Sequence, residues 1–417
     1  MLSSTVLLVI TLAAGFYMAW NIGANDVANA MGTPVGSGAL TLKRAIILAG
    51  IFEFAGAFFV GSSVADTIKD GIVPWQEFSE ANLFALGMLA SLLASAIWLN
   101  IATFFGQPVS TTHAIIGAII GFAVLSNGLG CVRWSQMGSI AASWIISPIA
   151  GGLLAFLTYW SIRRFVLESR HTIFMARRAV PIATGAVVAI LALSVIYKGL
   201  PRLKLDLTLL QALPSALLAG LAAGGGMWFN IQRRANSNYV PFRERYTVVE
   251  RWFSRLQVLT GCYMAFAHGA NDVANAIGPL AGAISVFRDG GSLASKTVIP
   301  TWLLAFGGLG IVLGLATYGF KVIEAVGRKI TEITPTRGFS AEFGTATTVL
   351  VCSKLGLPIS TTFVLVGAVM GVGLARGFGA LDLGVIKRIF LSWLVTIPIS
   401  AVLSAFIFQM LRMLAGY

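Results

Sequence analysis

The chain has little charge, histidine or cysteine. Of its 417 residues 11% are charged and 57% hydrophobic, with a mean hydropathy of +0.85. That balance excludes an ordinary soluble domain, where about a quarter of residues are charged. Cys131, Cys262 and Cys352 are scattered singly, so neither a disulfide framework nor a thiolate metal site follows. His113, His171 and His268 stand far apart and form no metal-ligand spacing. No basic start precedes the first apolar run, so no cleavable signal peptide is expected.

What the chain does have is apolar runs longer than 18 residues, enough to cross about 30 Å of hydrocarbon. It reads as an all-α polytopic membrane protein. The net charge of +13 is then assigned to loops on one side of the bilayer rather than to a nucleic-acid partner. Within these runs one octapeptide occurs twice. Gly23-Ala24-Asn25-Asp26-Val27-Ala28-Asn29-Ala30 returns unchanged as Gly269-Ala270-Asn271-Asp272-Val273-Ala274-Asn275-Ala276. An acid at membrane depth costs roughly 2.5 to 3.5 kcal/mol, so two copies of it imply one site built from two halves.

Further matches keep the same order. Pro108-Val109-Ser110-Thr111-Thr112 pairs with Pro358-Ile359-Ser360-Thr361-Thr362, Gly61 to Asp66 with Gly319 to Glu324, and Ser143-Trp144 with Ser392-Trp393. The chain therefore reads as repeat 1 (1–160), two non-repeated helices with a basic loop (161–255), and repeat 2 (256–417). Expected helices are about Ser4–Met31, broken by Gly32 to Gly38, then Arg44–Ala65, Met137–Trp160, Ala179–Tyr197 and Leu207–Asn230. After a basic loop from Arg233 to Arg255 come the second motif helix, Pro300–Phe320 and Lys387–Leu414. Two remaining stretches, Leu92–Leu125 and Ala341–Ala375, are interrupted by Pro and Ser-Thr-Thr. Arms of about 15 residues suit re-entrant hairpins with tips at mid-membrane. The expectation is eight spanning helices plus two hairpins, or twelve segments if hairpin arms are counted.

This layout places 20 of the 29 Lys and Arg on one side and 8 on the other, with Lys354 inside the second hairpin. By the positive-inside rule both termini face outward and the basic loops are cytoplasmic. The two repeats then have opposite orientations, the build of secondary transporters with a midplane site.

Each tip is a donor cluster at a helix start, where hydroxyls and free backbone N–H groups point at one spot. Two tips meeting would suit a tetrahedral oxyanion. The other reading of each Ser-Thr-Thr is plain helix capping. Acids beside an anion require cations, and Asp carboxylate, Asn amide oxygens and unwound backbone carbonyls are hard ligands for Na⁺ or for a proton-linked site. No catalytic residue is expected. The acids lack the Tyr-Asp and Gly-x-Gly-Asp patterns of intramembrane proteases, and Gly32 to Gly38 lacks a nucleotide-loop ending.

The doubled octapeptide, each copy followed by Pro-x-Ser-Thr-Thr, resembles the inorganic phosphate transporter (PiT) family, and in its wording the Na⁺-coupled branch. The resemblance implies symport of phosphate with Na⁺ or H⁺ across the plasma membrane, no cofactor, and a homodimer; relatives that carry sulfate leave that substrate as an alternative. It also points to acids at Glu53 and Glu342, which the repeat does not relate. The expected phosphate set is Asn25, Asp26, Ser110, Thr111, Thr112, Asn271, Asp272, Ser360, Thr361 and Thr362. The expected sodium set is Asn25, Asp26, Asn29, Asn271, Asp272, Asn275, Glu53 and Glu342.

Overall fold

The computed structural model describes the chain except residues 1–3, 106–108, 200–206, 235–240, 242–243, 289–298, 320–322, 324–333, 378–382 and 417, and except the side chains of 198–199, 234, 288, 383–390 and 392–393. The described residues contain helices and no strand. They are α1 (Ser4–Gly36), α2 (Leu42–Val60), α3 (Ser62–Asp66), α4 (Ala81–Phe104), α5 (Thr111–Asn127), α6 (Trp134–Ile162), α7 (Thr172–Gly199), α8 (Leu209–Arg234), α9 (Arg245–Arg288), α10 (Thr301–Gly314), α11 (Pro335–Lys354), α12 (Thr361–Arg376) and α13 (Leu383–Ala415). Among the described residues, seven helices are long and apolar enough to cross a membrane, and eight if α2 and α3, bent by 58°, form one span. The protein is a multi-pass membrane protein.

The helix boundaries correct several expectations. α1 runs through Gly32 and Pro34 to Gly36, and the turn comes at Gly38, whose φ is +76°. Pro34 sits in the last turn, where little of the hydrogen-bond ladder remains to be broken. α9 begins at Arg245, inside the stretch expected to be a basic loop, and runs 44 residues. The first arm of each hairpin is longer than expected, 24 residues in α4 and 20 in α11, while the second arms, 17 residues in α5 and 16 in α12, are close to the expected length. α4 has the length and apolarity of a span, whereas α9 falls outside the apolar set. The amides, His268 and Asp272 lower its hydropathy. Part of the match between Gly61–Asp66 and Gly319–Glu324 lies outside the described residues, as does Pro108.

Small residues explain which helices meet. A Cβ on Gly23 would lie 1.9 Å from the Ile311 carbonyl oxygen of α10, and one on Gly269 would lie 2.0 Å from that of Glu53 in α2. These two glycines open the two copies of the octapeptide. Only a residue without a side chain lets the backbones approach this closely. Gly314 against the Trp20 carbonyl and Gly56 against that of Phe266 repeat the pattern, each at 1.9 Å. Thus α1 packs on α10 and α9 on α2, each motif helix against a helix of the other repeat.

The hairpins are exchanged in the same way. α6 packs along α11 and α12, and α13 along α4 and α5. Gly367 and Gly371 press on the Pro148 and Gly152 carbonyls, and Gly117 and Gly121 on those of Ile397 and Ala401. This cross-packing brings both Ser-Thr-Thr tips against α1 and α9 at the centre of the molecule. α7 and α8 pack chiefly on each other, with Gly185 against Gly220 and Gly224.

Candidate functional site

Each tip begins where its chain turns from extended backbone into a helix. Ser110 caps α5 by accepting from the His113 N–H at 3.2 Å, and Ser360 caps α12 by accepting from the Phe363 N–H at 3.4 Å. The two serines thus have the capping role that was the alternative reading. The threonines behave differently, because their hydroxyls turn toward the motif helices. Thr361 Oγ1 donates to Asp272 Oδ2 at 2.9 Å. Asn29 Nδ2 donates to Thr362 Oγ1 at 2.8 Å, and Asn275 Nδ2 to Thr112 Oγ1 at 3.2 Å and Thr111 Oγ1 at 3.3 Å. Each motif's last asparagine therefore serves the tip of the other repeat. The tips also touch directly, with Thr112 Oγ1 donating to the Ile359 carbonyl at 2.9 Å.

The first asparagine of each motif faces its own tip. Asn25 Nδ2 donates to Asp26 Oδ1 at 2.9 Å and to the Val109 carbonyl at 3.2 Å, while Asn25 Oδ1 accepts from Thr103 at 2.9 Å. Asn271, with its amide oriented like that of Asn25, donates to Asp272 Oδ1 at 3.2 Å and to the Ile359 carbonyl at 3.0 Å. The helices are unbroken through both motifs, which corrects the expectation of unwound carbonyls there. The irregular backbone sits at the tips, and Val109 and Ile359 supply the carbonyls.

The centre of the site is a residue the sequence reading left without a role. His268 is fully buried, one helical turn before Asp272. Its Nε2 lies 2.8 Å from Asp272 Oδ2 and 3.9 Å from Asp26 Oδ2, and its Nδ1 lies 3.2 Å from Glu53 Oε1. Three acids of three helices converge on one imidazole. Asp26, His268 and Asp272 present ligand atoms within 4.8 Å of one another. The carboxylates suit a hard cation such as Na⁺, whereas an imidazole suits softer transition metals. A sequence signal existed in the i, i+4 spacing to Asp272. It was masked because the repeat partner of His268 is Ile22.

Glu342 is not part of this cluster. It lies on α11 and accepts from the Thr33 hydroxyl, from Thr260 Oγ1 at 2.5 Å and from Gln257 Nε2 at 3.4 Å, while Ser37 donates to Gln257 Oε1 at 2.7 Å. The eight residues expected to hold sodium thus separate into a central group and an isolated, fully hydrogen-bonded acid. Thr103 and Gln257 are polar partners with no motif to announce them.

Known proteins similar to this chain indicate its family. The phosphate transporter family model matches residues 22–404. The inorganic phosphate transporter 2-1, chloroplastic, of Arabidopsis thaliana is 45% identical over 424 aligned residues, covering 94% of this chain and 70% of that protein. A chain of Pyrococcus abyssi whose name proposes a phosphate permease is 46% identical, with 97% of this chain and 98% of that one covered. Among solved structures, one titled the sodium-dependent phosphate transporter superposes with a TM-score of 0.91 at 40% identity, covering 98% of this chain and 99% of that one. The chain belongs to the phosphate transporter family, a family of transporters and not of enzymes.

Proposed function

We propose that the protein is a sodium-coupled symporter of inorganic phosphate that works by alternating access. The observation that carries this reading is the Thr361–Asp272 hydrogen bond. The hydroxyl that would donate to a phosphate at the tips is the one that donates to the acid. Phosphate and the bare carboxylate compete for this donor and repel each other in a low-dielectric site. A cation bound at Asp26 and Asp272 relieves both conflicts, so each ligand binds better when the other is present. That mutual preference is a coupling free energy, and it is reciprocal. Phosphate is held by the tips with Asn25 and Asn271, and sodium by Asp26, Asp272 and the neighbouring amide oxygens of Asn29 and Asn275. Glu53 with His268 balances the remaining charge, and Glu342 marks a second place where a cation would be stabilised.

The architecture proposed for this activity is a pair of inverted repeats, 1–160 and 256–417, with the hairpins re-entrant. Both termini face outward across the plasma membrane, and the basic loops are cytoplasmic, as the charge distribution supports. The assembly proposed is a homodimer. The test of coupling is phosphate uptake into proteoliposomes with choline replacing external Na⁺, at fixed pH and with a protonophore present. Uptake is expected to stop. His268 among three acids favours one second reading, proton coupling, in which uptake persists without Na⁺ and collapses with the pH gradient.

A further inference from the structure

Besides the Thr112–Ile359 hydrogen bond, a second set of contacts joins the two tips. Trp144, on α6, donates from its indole Nε1 to the Pro358 carbonyl at 3.0 Å, two residues before the Ser360 cap. The same indole lies 3.9 Å, centroid to centroid, from the ring of His113, which follows the Ser-Thr-Thr of the other tip. His113 in turn meets Phe363, the equivalent residue of the second tip, edge to face at 4.7 Å. One side chain thus contacts both tips. Its own position is fixed, because α6 lies backbone to backbone on α12 where Gly367 and Gly371 meet the Pro148 and Gly152 carbonyls.

We infer that Trp144 is a positioning residue that sets the spacing of the two tips, and through it the affinity for phosphate. The inference rests on the phosphate reading of the tips. Trp144 does not reach the Ser-Thr-Thr hydroxyls; it acts through Pro358 and His113. A proline carbonyl just before a helix has no helical partner, so the indole N–H supplies the donor that holds this turn. Losing that donor lets the Ser360–Thr362 turn shift relative to Thr111 and Thr112. A tetrahedral anion touching both tips would then lose simultaneous contact with them.

Two substitutions separate the donor from the bulk of the ring. Trp144→Phe keeps an aromatic ring against His113 without the N–H. Trp144→His has a smaller ring but places Nε2 at the ring position of the indole nitrogen. Full-length chains in proteoliposomes are compared for initial uptake of radiolabelled phosphate at saturating Na⁺, with thermal unfolding measured on each. The expected result is an apparent KM for phosphate raised about five- to tenfold in Trp144→Phe, the size of one lost hydrogen bond, with maximal rate and Na⁺ dependence retained. Trp144→His should show a smaller rise. An unchanged KM in Trp144→Phe, or a KM that follows ring volume so that His is worse than Phe, overturns the inference. So does a Trp144→Phe chain that does not fold, which would make the indole a structural support. The unsubstituted chain, run alongside, tests the phosphate reading separately.

Discussion

The Asn29 amide donates to the Thr362 hydroxyl at 2.8 Å, across 333 positions of chain. Its repeat partner Asn275 makes the reciprocal bond to Thr112. Each half of the molecule thus supplies a hydrogen bond to the tip of the other.

Asp26→Asn and Asp272→Asn are expected to abolish Na⁺-dependent phosphate uptake while the protein remains folded. Asn is nearly isosteric and is cheaper to bury than a carboxylate, so thermal stability should hold or rise. Uptake assays paired with thermal unfolding check this. Full activity with normal Na⁺ activation in either variant would remove the acids from the mechanism.

Thr361→Val removes the hydroxyl that Asp272 accepts from and keeps the side-chain shape. Phosphate affinity should weaken by about 1 to 2 kcal/mol, as for a lost hydrogen bond to a charged group. The same is expected of Thr111→Val. Titrating phosphate at saturating Na⁺ gives the apparent KM of each. If both match the unsubstituted chain, the threonines serve only the helix starts.

Gly269→Ala should be more damaging than its single added methyl suggests. The new Cβ would sit 2.0 Å from the Glu53 carbonyl oxygen and would force α9 away from α2. Overpacking of this kind costs about 1 to 3 kcal/mol, and here it also moves His268 away from Glu53. Gly225→Ala, at a position with nothing within 4 Å, is the control and should be silent. Melting temperatures of the two variants decide the matter, and equal values would contradict the packing argument.

Ser169→Cys, on a background without Cys131, Cys262 and Cys352, should react with an impermeant thiol reagent only when the cytoplasmic face is open. Ser169 lies in the turn between α6 and α7, next to Arg163, Arg164 and Arg170. Labelling from outside intact cells would reverse the topology.

The sequence by itself determined the membrane class and the helical build, and it displays the doubled octapeptide and the paired Ser-Thr-Thr segments. Each of these is written in local pattern: apolar runs of spanning length, an octapeptide repeated letter for letter, and Ser-Thr-Thr after a proline at equal spacing. Thr361 and Asp272, both named from the repeated motifs, lie in hydrogen-bond contact, whereas Ser110 and Ser360 cap their own helices. What only the tertiary structure decided is what breaks the repeat. His268 faces three acids although its repeat partner is Ile22, and Glu53 joins it while Glu342 stands apart with Thr33, Thr260 and Gln257. Periodicity tells which face of a helix a residue occupies, but not which helix of the other repeat will lie against that face. That choice was made by glycines, Gly23 against Ile311 and Gly269 against Glu53, because only a backbone without a side chain lets these helices close to contact distance.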